Sequence, residues 1–230
     1  MLRRVYSVIA YLIGLAGASV YFAYVLGAGI GVWPRGEATS TAWSMGINLG
    51  LLALFAMQHS GMARPAYKKY ILRIVPECLE RSTYVAASGL VLGLLTVLWQ
   101  PLPGEPFWHG PIAIVAVSLL GAFGVGVCAT WFDHATFFGL TQGWTGVRPG
   151  PAKLRIEGPY RLMRHPLMLG LLIAIWGVPV MPPELLMMNL GMTMYVLVAI
   201  RWEEHDLVRE FGSEYEEYRR RVPAIVPWRF

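Results

Sequence analysis

Residues 165–205 read HPLMLGLLIAIWGVPVMPPELLMMNLGMTMYVLVAIRWEEH. Two apolar runs, about 166–181 and 185–200, are parted only by Pro182-Pro183-Glu184, with ionisable residues gathered at both outer ends. So brief a proline-rich connection reads as the turn of a tight helical hairpin. The two runs read as the fifth and sixth members of a set of transmembrane spans.

Working outward, longer apolar runs lie at about 5–32, 42–58, 83–99 and 111–132. Each suits the roughly 30 Å hydrocarbon core of a bilayer. The first exceeds the roughly 7 to 15 apolar residues of a secretory signal and lacks a cleavage site, so it is expected to stay in the mature protein. Composition agrees: the 230 residues are 56% hydrophobic and 14% charged, with nine Trp and eleven Met, too apolar for a soluble domain of this length. The expected fold class is all-α, a polytopic transmembrane helical bundle of five to six spans in one membrane domain, 1–230. Residues 1–132 are expected to form four transmembrane helices with a basic cytoplasmic loop at 60–82, and residues 133–230 a ligand-binding region.

Lys and Arg accumulate on the cytoplasmic side of membrane proteins. Arg3 and Arg4 precede the first run, Arg64, Lys68, Lys69, Arg73 and Arg81 follow the second, and Arg148, Lys153, Arg155, Arg161 and Arg164 follow the fourth. The loop 100–110 and the Pro182 turn have none, and 33–41 has only Arg35. Six spans then leave both termini cytoplasmic. The last thirty residues read as a helix to about Phe211, a break at Gly212, and a second charged helix ended by Pro223, with Pro227-Trp228 suited to the interface. The net charge of +5 lies between apolar runs and not along one face, which fits membrane lipid and not nucleic acid.

Two polar clusters fall on the basic side. In GPYRLMRHPLMLG, 158–170, a Gly-Pro turn leads to Pro166 at the first position of a helix, where a missing N–H costs nothing. Arg161, Arg164 and His165 then stand at the membrane surface. Arg201, Glu203, Glu204 and His205 stand where the last run leaves the membrane. Carboxylates there are costly unless paired or used, and pairing Arg164 or His165 with Glu203 or Glu204 would enclose a polar pocket.

His59, closing the second run, and His134 beside Asp133, after the fourth, are candidate general bases, since imidazole titrates near neutrality. No third ligand at diagnostic spacing accompanies these histidines, so no metal is expected. Cys78 and Cys128 read as structural residues.

GPYRLMRHPLMLG followed by EEHDLVREFGSEYEEYRRRVPAIVP resembles the C-terminal signature of the isoprenylcysteine carboxyl methyltransferase superfamily, integral membrane enzymes that use S-adenosylmethionine. The resemblance implies cofactor contacts at Tyr160, Arg161, Arg164, His165, Glu203 and Glu204, with Leu169 and Arg201 counted beside them. Met168 stands where that family usually has Tyr. MQHSGMARPAYKKYILRIVPECLERSTYV, 57–85, with VLWQPLP downstream, looks like the bacterial methanethiol S-methyltransferases, and less closely like a group linked by name to nitric oxide reduction.

These resemblances imply methyl transfer to a small thiol, giving dimethyl sulfide and S-adenosylhomocysteine, in a bacterial inner membrane and without an obligate protein partner. Arg161 or Arg164 would face the methionine carboxylate, Glu203 or Glu204 the hydroxyls or the amine. His59 is the first candidate base, and His134 with Asp133 the second. A prenylcysteine, a lipid carboxylate or amine as acceptor, and a non-catalytic membrane factor linked to nitric oxide respiration, are the alternatives. A transporter ranks last, because Asn48 and Asn189 are nearly the only polar residues at mid-depth.

Overall fold

The computed structural model describes residues 1–34, 36, 40–131, 133–147, 150 and 154–225. Arg35, Phe132, Arg148, Lys153 and the Pro227-Trp228 end lie outside the described residues. In chain order the helices are α1 (Leu2–Gly29), α2 (Thr41–Ala63), α3 (Pro65–Ile71), α4 (Glu80–Val97), α5 (Val115–Trp131), α6 (His134–Phe137), α7 (Leu140–Thr145), α8 (Pro166–Trp176), α9 (Pro183–Phe211) and α10 (Ser213–Arg221). No strand lies among the described residues, and the protein is an all-α membrane bundle.

Three helical stretches, Leu2–Gly29, Ile112–Trp131 and Pro183–Phe211, are long and apolar enough to cross a membrane. Their outer faces show why lipid is the solvent: on α5, Leu119, Leu120 and Phe123 are all more than half exposed. Helix pairings fix the directions. Tyr6 Oη meets Thr83 Oγ1 at 2.9 Å near the starts of α1 and α4, so those two run the same way. Farther along, a Cβ on Gly17 would fall 2.0 Å from the carbonyl oxygen of Gly89, an approach that only glycine allows.

Helix α2 runs against α4. Asn48 exchanges two hydrogen bonds with the backbone of Gln100, at 2.8 and 3.0 Å, and His59 meets Ser88 at the other end. Helix α9 runs alongside α2, from Asn48 near Met187 to Arg64 paired with Asp206. The core is built from Tyr21, Val25, Leu95, Ile175, Leu185 and Met188 with their neighbours, and it lies in the half of the bundle remote from the basic loops. Asn48 and Asn189, which donates to the Ile175 carbonyl at 2.6 Å, are tied to the backbone there.

The fifth run differs from the expected continuous helix. Helix α8 stops at Trp176, about 16 Å from its start at 1.5 Å per residue, roughly half of a hydrocarbon core. Residues 177–182 continue as non-helical chain: Val180 N donates to Gly29 O at 2.8 Å, and Val180 bridges to His109. Pro179 and Pro182 lack the N–H that a helix would use and bias the preceding residues to extended conformations. The hairpin is therefore helical in its first arm only next to His165. Ser118 Oγ donates to Ala174 O at 2.5 Å, so α8 packs antiparallel on α5.

The expected basic loop at 60–82 is mostly helical. It comprises the last turn of α2, α3 and a 3-10 turn at Glu77–Leu79. The tail follows the sequence closely. Helix α9 ends at Phe211, Gly212 turns the chain with φ 57°, and α10 ends before Pro223. Among the described residues the cationic segments meet at one end of the bundle, and residues 98–112 and 177–184 at the other.

Candidate functional site

At the basic end the chain enters α8 through a 3-10 turn, Gly158–Arg161, with His165 in the N-cap position and Pro166 opening the helix. Opposite, Val196 and Ile200 of α9 are buried, and Glu203 and Glu204 continue that inner face, three and four residues on. The structure joins the two clusters. Arg164 Nε donates to Glu204 Oε1 at 2.7 Å and Nη2 reaches the same oxygen; His165 Nε2 lies 3.2 Å from it. His165 Nδ1 is 3.8 Å from Glu203 Oε2.

The tail closes over this cluster. Arg164 Nη1 donates to the carbonyls of Arg219, at 3.1 Å, and Val222. The backbone N–H groups of Arg164 and His165 donate to Pro223 and Ala224, each at 2.9 Å, and Tyr218 Oη donates to Tyr160 O at 2.6 Å. Tyr160, Tyr215 and Tyr218 are buried, and burial pushes the hydroxyls of all three up, that of Tyr218 to about 12.

The candidates therefore divide. Arg164 has spent its guanidinium on Glu204 and the tail. Glu203, 48% exposed at its side chain, has His165 as its ionic neighbour, so most of its accepting capacity stays open. Arg161 points elsewhere, into a groove of about 430 Å³ shared with Glu157, Glu214 and Glu217. Arg201 and His205 are exposed on α9, and Leu169 is half-buried in the first turn of α8.

His59 lies one turn before the end of α2. Its Nδ1 meets Ser88 Oγ at 3.0 Å and its Nε2 meets Tyr84 Oη at 2.9 Å. Phe55 stacks on the ring at 5.3 Å between centroids and Tyr195 packs edge-on at 6.2 Å, while Tyr195 Oη bonds Ser60 Oγ at 3.1 Å. This hydroxyl and imidazole cluster is connected to the ionic one. Tyr195 and Glu203 sit eight residues apart on α9, about 12 Å along the axis.

His134 and Asp133 stand apart from both clusters. Asp133 caps α6 by accepting from Thr136, at 2.7 Å from its hydroxyl, which holds its carboxyl below the usual range. His134 Nε2 bonds Tyr11 Oη at 3.1 Å, on an exposed face against α1. Among the described residues no three His, Cys, Asp or Glu side chains form a group that would hold a metal.

Sequence reading missed the surroundings of His59. The signal was present for α4, where Arg81, Tyr84 and Ser88 fall at i, i+3 and i+7 on one helical face. It was absent for Tyr195, whose register against α2 is a tertiary fact.

Residues 112–214 match the phospholipid methyltransferase family, a stretch that holds the whole Arg164, His165, Glu203 and Glu204 cluster. Over nearly its full length the chain is similar to Methanethiol S-methyltransferase 2 of Bradyrhizobium diazoefficiens, with 40% identity over 96% of this chain and 88% of that protein. It is 38% identical to Methanethiol S-methyltransferase 1 of the same bacterium, over 98% and 85%. With Methanethiol S-methyltransferase of Mycobacterium tuberculosis it shares 36% identity over 99% and 96%. No solved structure matches the chain.

Proposed function

We propose a function from the premise that the chain belongs to the family of the methanethiol S-methyltransferases and is a membrane methyltransferase. Its acceptor is methanethiol, its methyl donor S-adenosylmethionine, and its products dimethyl sulfide and S-adenosylhomocysteine. We place it in a bacterial inner membrane with both termini cytoplasmic, so that the basic end faces the compartment of the soluble donor. Residues 133–230 carry the donor site.

The residues present suit that donor. Glu203 offers an open carboxylate for ribose hydroxyls or an ammonium group, and His165 stands beside it. Tyr160 lies buried in the same wall. When bound, S-adenosylmethionine supplies an electrophilic methyl group. The chain's own contribution is to hold and deprotonate the acceptor. His59, oriented by Ser88 and Tyr84, accepts the thiol proton, because the thiolate and not the thiol is the competent nucleophile. Phe55 and Tyr195 keep water from the imidazole, which favours a reaction that annihilates charge.

The observation that carries this reading is that α9 presents Tyr195, packed on the His59 imidazole of α2, and the open Glu203 carboxylate about 12 Å apart along its axis. Calorimetry of the detergent-solubilised protein with S-adenosylmethionine, followed by headspace gas chromatography after adding methanethiol, tests it. Binding followed by dimethyl sulfide supports the proposal. Binding without dimethyl sulfide removes methanethiol as acceptor, and no binding by folded protein removes the donor site.

A further inference from the structure

A groove runs between α2 and α9 on the lipid-facing surface. It holds a cavity of about 960 Å³ walled by Leu52, Ala53, Met57, Met194 and Trp202, with Arg64 at its basic end. Beyond the Arg64–Asp206 pair, at 2.5 Å, the seam opens into a second pocket of about 570 Å³ that contains Lys68, Lys69, Arg209, Asp206 and Glu210. Toward the opposite end the groove continues as a space of about 410 Å³ walled by apolar side chains such as Leu102, Leu186 and Leu190. Charge therefore stands at one end of an otherwise apolar channel.

Lengths and charges together select an occupant. From Gly191 to Trp202 the apolar wall of α9 measures about 16 Å, close to one leaflet of a roughly 30 Å core. Helix α3, at the mouth, exposes Tyr70 while the following segment exposes Ile74, as a helix seated at the headgroup level does. Four cations, Arg64, Lys68, Lys69 and Arg209, face two carboxylates there, Asp206 and Glu210. Arg64 is committed to Asp206 and Trp202, and Lys68 lies 4.0 Å from Glu80, which leaves Lys69 and Arg209 for an anion. We propose that this groove seats one acyl chain of an anionic phospholipid of the basic-side leaflet, with its phosphate between Lys69 and Arg209. The seat depends on the chain being a membrane protein, and it borders the proposed acceptor site, since Phe55, Ser60 and Tyr195 also line its cavity.

Native mass spectrometry of delipidated protein in detergent tests this with two probes of equal chain length, a phosphatidylglycerol and a phosphatidylcholine. One phosphatidylglycerol is expected to be held about tenfold more tightly at low salt. Lys69→Gln with Arg209→Gln, two exposed positions, should erase that preference. Ala53→Trp, which fills the groove, should weaken retention of both lipids. Equal retention of the two lipids, a preference unchanged in the double variant, or displacement of the lipid by millimolar inorganic phosphate overturns the proposal. The double variant alone decides the headgroup claim if Ala53→Trp fails to fold.

Discussion

Arg164 donates from Nε to Oε1 of Glu204 at 2.7 Å while its Nη1 holds the carbonyl oxygens of Arg219 and Val222. One guanidinium thus ties the start of α8 to α9 and to the tail. The side chains of the pair are only 9% and 15% exposed, so neither charge has water as a ready substitute partner.

Arg164→Ala should therefore cost about 3 kcal/mol, the usual penalty for leaving a largely buried carboxylate unpaired. The expected signature is tail release. Limited proteolysis should cut between α9 and α10 in the variant and spare the parent protein, and an equally resistant variant would refute the tie.

Glu203→Gln keeps the shape of the side chain and removes its charge. With α9 intact, S-adenosylmethionine affinity should fall about 10- to 100-fold, the worth of a charge-assisted hydrogen bond. Calorimetry reads this directly, and an unchanged dissociation constant would take Glu203 out of the donor site.

His59→Ala should leave donor binding intact and slow methanethiol methylation about 10²- to 10⁴-fold, the range for losing a general base. His134→Ala and Asp133→Asn should change turnover little, because they hold α6 against α1. Comparable losses at His59 and His134 would reverse the ranking.

Tyr218 donates its hydroxyl to Tyr160 O, and burial pushes its pKa up to about 12. A phenol whose folded pKa exceeds its unfolded value of 10 contributes stability that is complete below pH 10 and is lost as pH rises toward 12. Tail docking should hold to about pH 10 and fail above it. Phenolate absorbance scanned alongside proteolysis would show this, and Tyr218→Phe should cost about 1 kcal/mol at neutral pH.

Gly17→Leu tests the bundle itself. A Cβ there would sit 2.0 Å from Gly89 O, with backbone on both sides, so α1 and α4 must separate. A loss of at least about 3 kcal/mol is expected, the upper end for overpacking. A melting temperature equal to that of the parent protein in the same detergent would contradict the close crossing.

The six apolar runs, the two ends and the tail break at Gly212 were legible in the chain because hydrophobic length, cation placement and the Gly/Pro breaks are local properties. The fifth run misled for a local reason as well. Its hydropathy continues to Met181, while Pro179 and Pro182 deny a helix beyond Trp176, and a sum of apolar residues does not weigh those missing N–H groups.

Of the site, the sequence supplied the residue types, His165 and Arg164 on one side and Glu203 and Glu204 on the other, because polar groups at a membrane surface are costly enough to stand out. It left open which arginine meets which carboxylate. The structure uses Arg164 to hold Glu204 and the tail, turns Arg161 into a separate groove, and leaves Glu203 open.

By itself, then, the sequence determined that this is a helical membrane protein with most of its Lys and Arg toward one end, since composition and periodicity alone set what a bilayer accepts. Only the tertiary structure decided that His59 sits among Tyr84, Ser88 and Tyr195 while His134 does not. Contacts between residues 25 to 136 positions apart depend on the rotation and register with which whole helices pack, and helix packing is settled by side chains on both partners at once.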